Sequence, residues 1–143
     1  MILCAASNVA ELSEHKILSI GTDNKIDSIP WRSDRRVHSI WFDTKNKIYT
    51  SGGGVFIGSI NNNWVEQIEL PLVFTERIRG IGKNDLFVVG HFGLIAHYNG
   101  ISWSEYPEAS TALVYTSLDY KNELMVTVGY TQRQAVIQLM RKN

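Results

Sequence analysis

The chain has 143 residues, with 14 basic and 14 acidic side chains and therefore no net formal charge. A nucleic-acid groove or an anionic membrane surface calls for a basic excess, so neither is an expected partner. Apolar residues make up 44 % and charged residues 20 % of the chain, and 4 Trp, 6 Tyr and 5 Phe supply enough apolar area to exclude disorder.

The single cysteine, Cys4, leaves no intrachain disulfide and no multi-cysteine zinc site. No apolar run approaches the ~20 residues that span a bilayer, so no membrane insertion is expected. The opening Met1 to Ala6 lacks the basic and apolar regions of a signal peptide.

Self-similarity organises the rest. Lys-Asn recurs at Lys45-Asn46, Lys83-Asn84 and Lys121-Asn122, each 38 residues from the last. In chain order, a weak first unit holds Lys16 to Gly21 and Ile26 to Trp31. The second runs through Ile48-Tyr49-Thr50-Ser51-Gly52, then Val55-Phe56-Ile57, then Asn61-Asn62-Asn63-Trp64. The third repeats that order in Leu86-Phe87-Val88-Val89-Gly90, Leu94-Ile95-Ala96 and Asn99-Gly100-Ile101-Ser102-Trp103. The fourth holds Leu124 to Gly129 and Ala135-Val136-Ile137, with no tryptophan after them.

Short β-prone runs bounded by Gly, Asn, Asp and Ser predict strands joined by hairpins. In the third unit they fall at Arg77–Ile81, Asp85–Val89, Leu94–Tyr98 and Ser102–Tyr106. Gln134 to Lys142 has a weak helical pattern, but its place in the repeat favours a strand. Four strands per unit of ~40 residues predict an all-β fold of β-propeller blades. The approximate blades are 1–34, 35–73, 74–111 and 112–143, the last without its outer strand.

The stretch Asp85 to Trp103 resembles a propeller repeat of bacterial secreted and surface proteins, akin to the BNR/Asp-box and photosystem-II-stability-factor-like propellers. The resemblance centres on residues 77–106 and extends over 37–66 and 113–142. It implies an extracellular or periplasmic setting and a partial ring. Three closures are open: preceding blades outside this chain, self-association of two copies, or four blades closing alone with residues 1–6 as the missing outer strand.

Trp64 and Trp103 follow Asn-rich turns and are expected to pack between blades, while Trp31 and Trp41 have no assigned place. His97 belongs to the repeat and is expected to make a structural hydrogen bond. His15 and His38 are scattered elsewhere. His91 and Phe92 fall in a second-to-third-strand turn equivalent to Gly52–Gly54 and Tyr130–Gln132. These turns are expected side by side, with His91, Phe92 and Tyr130 as binding candidates. Arg79 and Arg77 share a face of a first strand, where a guanidinium could hold an anion, against an inter-blade ion pair with Glu76 or Asp119. Arg32, Asp34, Arg35 and Arg36 are expected in a solvated loop.

No dinucleotide loop, P-loop, nucleophile elbow or zinc-protease motif is present. Glu66, Glu69, Glu105 and Glu108 follow the tryptophans on outer strands, away from a channel mouth, which argues against paired glycosidase carboxylates. The expected function is a non-catalytic scaffold that binds a protein or glycan and needs no cofactor or metal. Its rivals are part of a glycoside hydrolase or lyase, and a lectin-like module.

Overall fold

The computed structural model describes residues 1–7, 15–31, 34–44, 47–106 and 111–141. Arg32, Lys45-Asn46, Glu108 and Lys142 lie outside them. Among the described residues, fourteen strands form four antiparallel sheets in succession along the chain.

Sheet A holds β1 (Ile2–Ser7), β2 (His15–Ile20) and β3 (Ile26–Ile29). Sheet B holds β4 (Val37–Thr44), β5 (Lys47–Gly52), β6 (Phe56–Ser59) and β7 (Asn62–Glu66). Sheet C holds β8 (Thr75–Gly82), β9 (Asp85–Gly90), β10 (Ile95–Tyr98) and β11 (Trp103–Glu105). Sheet D holds β12 (Val114–Lys121), β13 (Leu124–Tyr130) and β14 (Ala135–Arg141). In each sheet neighbouring strands are neighbours in sequence, because tight turns such as Lys83-Asn84 and Asn122-Glu123 leave no room for a crossover. The Gln134–Lys142 ambiguity resolves as the strand β14, whose exposure alternates residue by residue as a one-face-buried strand requires.

Residues 2–7 pair with β2 of their own sheet, Ile2 opposite Ile20 and Ser7 opposite His15. They are therefore the first strand of sheet A and not an outer strand for sheet D, which removes the closure in which residues 1–6 complete the last sheet.

Three buried clusters hold the sheets together, one at each junction. Ile17, Ile29, Val37 and Ile48 join A to B. Tyr49, Val55, Ile78, Leu86, Val88 and Tyr98 join B to C. Phe87, Val89, Ile95, Leu118, Tyr120 and Met125 join C to D. Among the described residues no such cluster joins D to A. The first strands β1, β4, β8 and β12 pack consecutively, each against the next.

The period-2 alternation of the strands explains this layering. On each second strand, odd and even positions face opposite neighbours: Leu86 and Val88 turn to sheet B, and Phe87 and Val89 to sheet D. Sheets this apolar on both faces have to be covered on both sides.

Polar ties reinforce each junction. Trp64 lies edge-on to Trp31 at 4.8 Å and donates Nε1–H to the Pro30 carbonyl at 2.7 Å. Trp103 donates to Gln67 Oε1 at 3.2 Å, and its backbone N–H reaches Glu69 Oε2 at 3.1 Å. Both tryptophans thus reach back to the chain that leaves the preceding sheet. Trp31 meets Phe56 at 5.1 Å, and Trp41 packs on Tyr49 at 5.3 Å. His97 Nε2–H donates to Asp85 Oδ1 at 2.7 Å, and the Tyr120 hydroxyl donates to the same oxygen at 3.0 Å, tying C to D. The Asn99 side chain accepts from the N–H groups of Ile101 and Ser102, both at 2.9 Å, which makes the tight turn before Trp103.

Candidate binding surface at the bulged strand ends

Each of β4, β8 and β12 begins with a β-bulge, in which one extra residue is left unpaired. The ladder steps from Val37 to Ser39 opposite Gly52 and Ser51, from Thr75 to Arg77 opposite Gly90 and Val89, and from Tyr115 to Ser117 opposite Gly129 and Val128. The extra residues are His38, Glu76 and Thr116. A bulge re-aims its side chain away from the ladder direction. It also brings backbone close to the partner strand: a Cβ on Gly52 or Gly90 would collide with the Arg36 or Phe74 carbonyl, so glycine is required there.

The repeat places two of these residues against each other. Glu76 accepts from two imidazoles, with Oε2 3.0 Å from His38 Nε2 and Oε1 2.9 Å from His91 Nε2. A carboxylate only accepts, so both Nε2 atoms carry hydrogen. Phe74 lies edge-on between the two rings, 5.6 Å from His38 and 5.5 Å from His91. The Arg36 guanidinium sits 5.3 Å above the Phe74 ring. The two imidazoles are part-exposed, whereas Glu76 is largely covered.

His91 begins the 3₁₀ turn His91–Gly93, which is anchored by the His91 N–H on the Phe74 carbonyl (2.9 Å) and the Gly93 N–H on the Leu113 carbonyl (2.7 Å). That turn forces Phe92 into the left-handed region, at φ 56° and ψ 29°, and leaves its ring 55 % exposed beside His91. A left-handed phenylalanine pointing outward is uncommon, and such positions gather at ligand-binding segments.

The four residues expected to form a site separate as follows. His91 and Phe92 are adjacent, with ring centroids 6.4 Å apart. Tyr130 is 53 % exposed but ends β13, on the outward face of sheet D, so it is not a turn residue. Arg79 is a tie between sheets: its Nη1 donates to Ser39 Oγ, the Ile40 carbonyl and the Ile78 carbonyl at 3.2, 3.3 and 2.7 Å. Burial, and then the neighbouring Arg77, lower its pKa, while Asp119 acts in the opposite direction. In place of the ion pair expected with Glu76 or Asp119, its hydrogen-bond partners are two oxygens of sheet B and the Ile78 carbonyl of its own strand, and Glu76 is engaged by the histidines.

Arg35 departs from the expected solvated loop. It is half-buried, 3.2 Å from Glu66 Oε1, and donates to the Gly53 carbonyl at 3.2 Å.

Glu76, His38 and Phe74 were not among the expected binding residues. The signal was present for two of them: His38 and Glu76 are separated by 38 residues, the period of the repeat. Among the described residues, no group of three or more His, Cys, Asp or Glu is placed to hold a metal. Among the described residues no helix is long and apolar enough to cross a membrane.

The chain matches no known family model and no curated protein.

Proposed function

We propose that this chain is a non-catalytic binding scaffold of β-propeller blades, whose bulged strand ends present His38, His91 and Phe92 to a protein or glycan. The observation that carries the proposal is the Glu76 bridge. It fixes two part-exposed imidazoles, and that of His91 lies beside the exposed Phe92 ring on a turn anchored to the residues that lead into β8 and β12. Fixed rings cost little entropy on binding, and an exposed aromatic flanked by oriented polar groups suits a sugar face or a peptide side chain. Glu76 already accepts from two donors, which supports a positioning role for it over that of a free acid or base. The repeat resemblance supports blades of a bacterial extracytoplasmic protein.

The test is a glycan array and a displayed peptide library probed with the wild type, His91→Ala, Phe92→Ser and Glu76→Gln. Ligands selected by the wild type should bind each variant at least ~10-fold more weakly, as loss of an interface anchor implies. Chemical turnover of a bound glycan would overturn the non-catalytic reading, and ligands indifferent to all three substitutions would move the site elsewhere.

A further inference from the structure

We infer that the outward face of sheet D is the docking surface for sheet A of a second copy of this chain, so that two chains join head to tail. The inference goes beyond the ligand-binding role, and it begins with an equivalence between sheets. Gly52, Gly90 and Gly129 occupy the same place, each opposite the residue before a first-strand bulge. Counting back from them, Tyr49 and Ser51, Phe87 and Val89, and Val126 and Val128 are matched pairs on the face turned to the next sheet. The first two pairs are covered by sheets C and D respectively. Val89 is 0 % exposed, but Val128 is 40 % exposed.

The neighbouring strand continues the pattern. Ile95 and His97, opposite Val89 and Phe87, are buried under sheet D. Their counterparts Ile137 and Leu139, opposite Val128 and Val126, are exposed. Tyr130 lies on the same face as Val128, two residues along the strand, which gives this candidate residue a role at the chain-to-chain seam. Sheet D therefore carries an apolar face of the kind that two seams within the chain already bury.

The chain also carries a face of the complementary kind. Ile17, Leu3 and Ile29 of sheet A turn toward sheet B. Alternation places Ile2, Ile20 and Ile26, which are register partners across β1, β2 and β3, on the opposite side. Ile2 and Ile26 are exposed there. Seating that side on sheet D of a second copy repeats the A–B, B–C and C–D seams a fourth time. Head-to-tail contacts close when the rotation allows. Two arcs of four sheets give eight, the upper end of the usual range of ~4–8 blades. Closure at two copies rests on the propeller reading, whereas the seam itself rests on the matched faces.

Sedimentation of the 143-residue chain over a wide concentration range tests this, with Val128→Asp, Ile137→Lys and Ile26→Asp as variants and circular dichroism to verify folding. The wild type should reach twice the 16.2 kDa of one chain. Each variant should sediment as a single chain. Mixing Val128→Asp with Ile26→Asp should restore a two-chain species, because one seam in the mixed pair is intact. A wild type that stays a single chain overturns the seam and leaves the ligand-binding proposal untouched. Association that survives Ile26→Asp also overturns it, since two D faces would then be meeting. Open assemblies longer than two copies, dissolved by the same variants, overturn closure at two copies.

Discussion

Sheets C and D are built from the same repeat, yet one is covered on both faces and the other on one. In sheet C the central strand β9 is buried from Leu86 to Gly90. In sheet D the central strand β13 alternates between buried and open positions. The residue types hardly differ, since Val89 and Val128 are both valine at matched places. What differs is whether a neighbouring sheet lies against them. Burial here is a property of position in the stack, and the energetic weight of a side chain follows from it.

The comparison can be broken first at the C–D seam. Asp85→Ala removes the common acceptor of His97 and Tyr120, both largely buried, and leaves two donors without a partner. Unsatisfied buried groups cost about 1–3 kcal/mol each, so the loss should be about 3 kcal/mol in urea unfolding. The B–C seam offers a milder cut. The Tyr49 hydroxyl donates to the Lys83 carbonyl, and Tyr49→Phe should cost about 1 kcal/mol.

Alkaline pH sharpens the same contrast without mutation. Burial raises the pKa of Tyr49, Tyr98, Tyr115 and Tyr120 above the phenol's usual 10.0, with the Asp85 hydrogen bond adding to the effect at Tyr120. The unfolded phenols ionise near pH 10 and the folded ones later, so above that point the unfolded state holds fewer protons. Stability should be unaffected by these groups below about pH 9 and should fall as pH rises past 10 toward the folded values. A urea midpoint that stays flat from pH 9 to 11.5 would contradict the burial of these four rings.

Strands were legible in the sequence because period-2 alternation and turn residues are local signals. The third unit shows it: expected Arg77–Ile81 is observed as Thr75–Gly82, and expected Ser102–Tyr106 as Trp103–Glu105. The structural roles of Trp64, Trp103 and His97 were legible too, since each recurs with the repeat or sits at its turns. The bulges were not, because an unpaired extra residue carries no composition signature. His38 consequently looked scattered, and Glu76 looked like an arginine's ion-pair partner, until the register showed both at matched bulges. The pairing of residues 2–7 was also hidden, since a strand with no partner signal of its own can pair with its own unit or with another.

The most direct measurement is the paired substitution of matched valines, Val89→Ala and Val128→Ala, by urea unfolding at a concentration dilute enough for a single chain. Removing two methyl groups from the sealed C–D seam should cost about 2 kcal/mol, from transfer and cavity together. The same change on the open face should cost no more than about 0.5 kcal/mol. Equal losses at the two positions would contradict the account that one repeat, covered in sheet C and uncovered in sheet D, explains this chain.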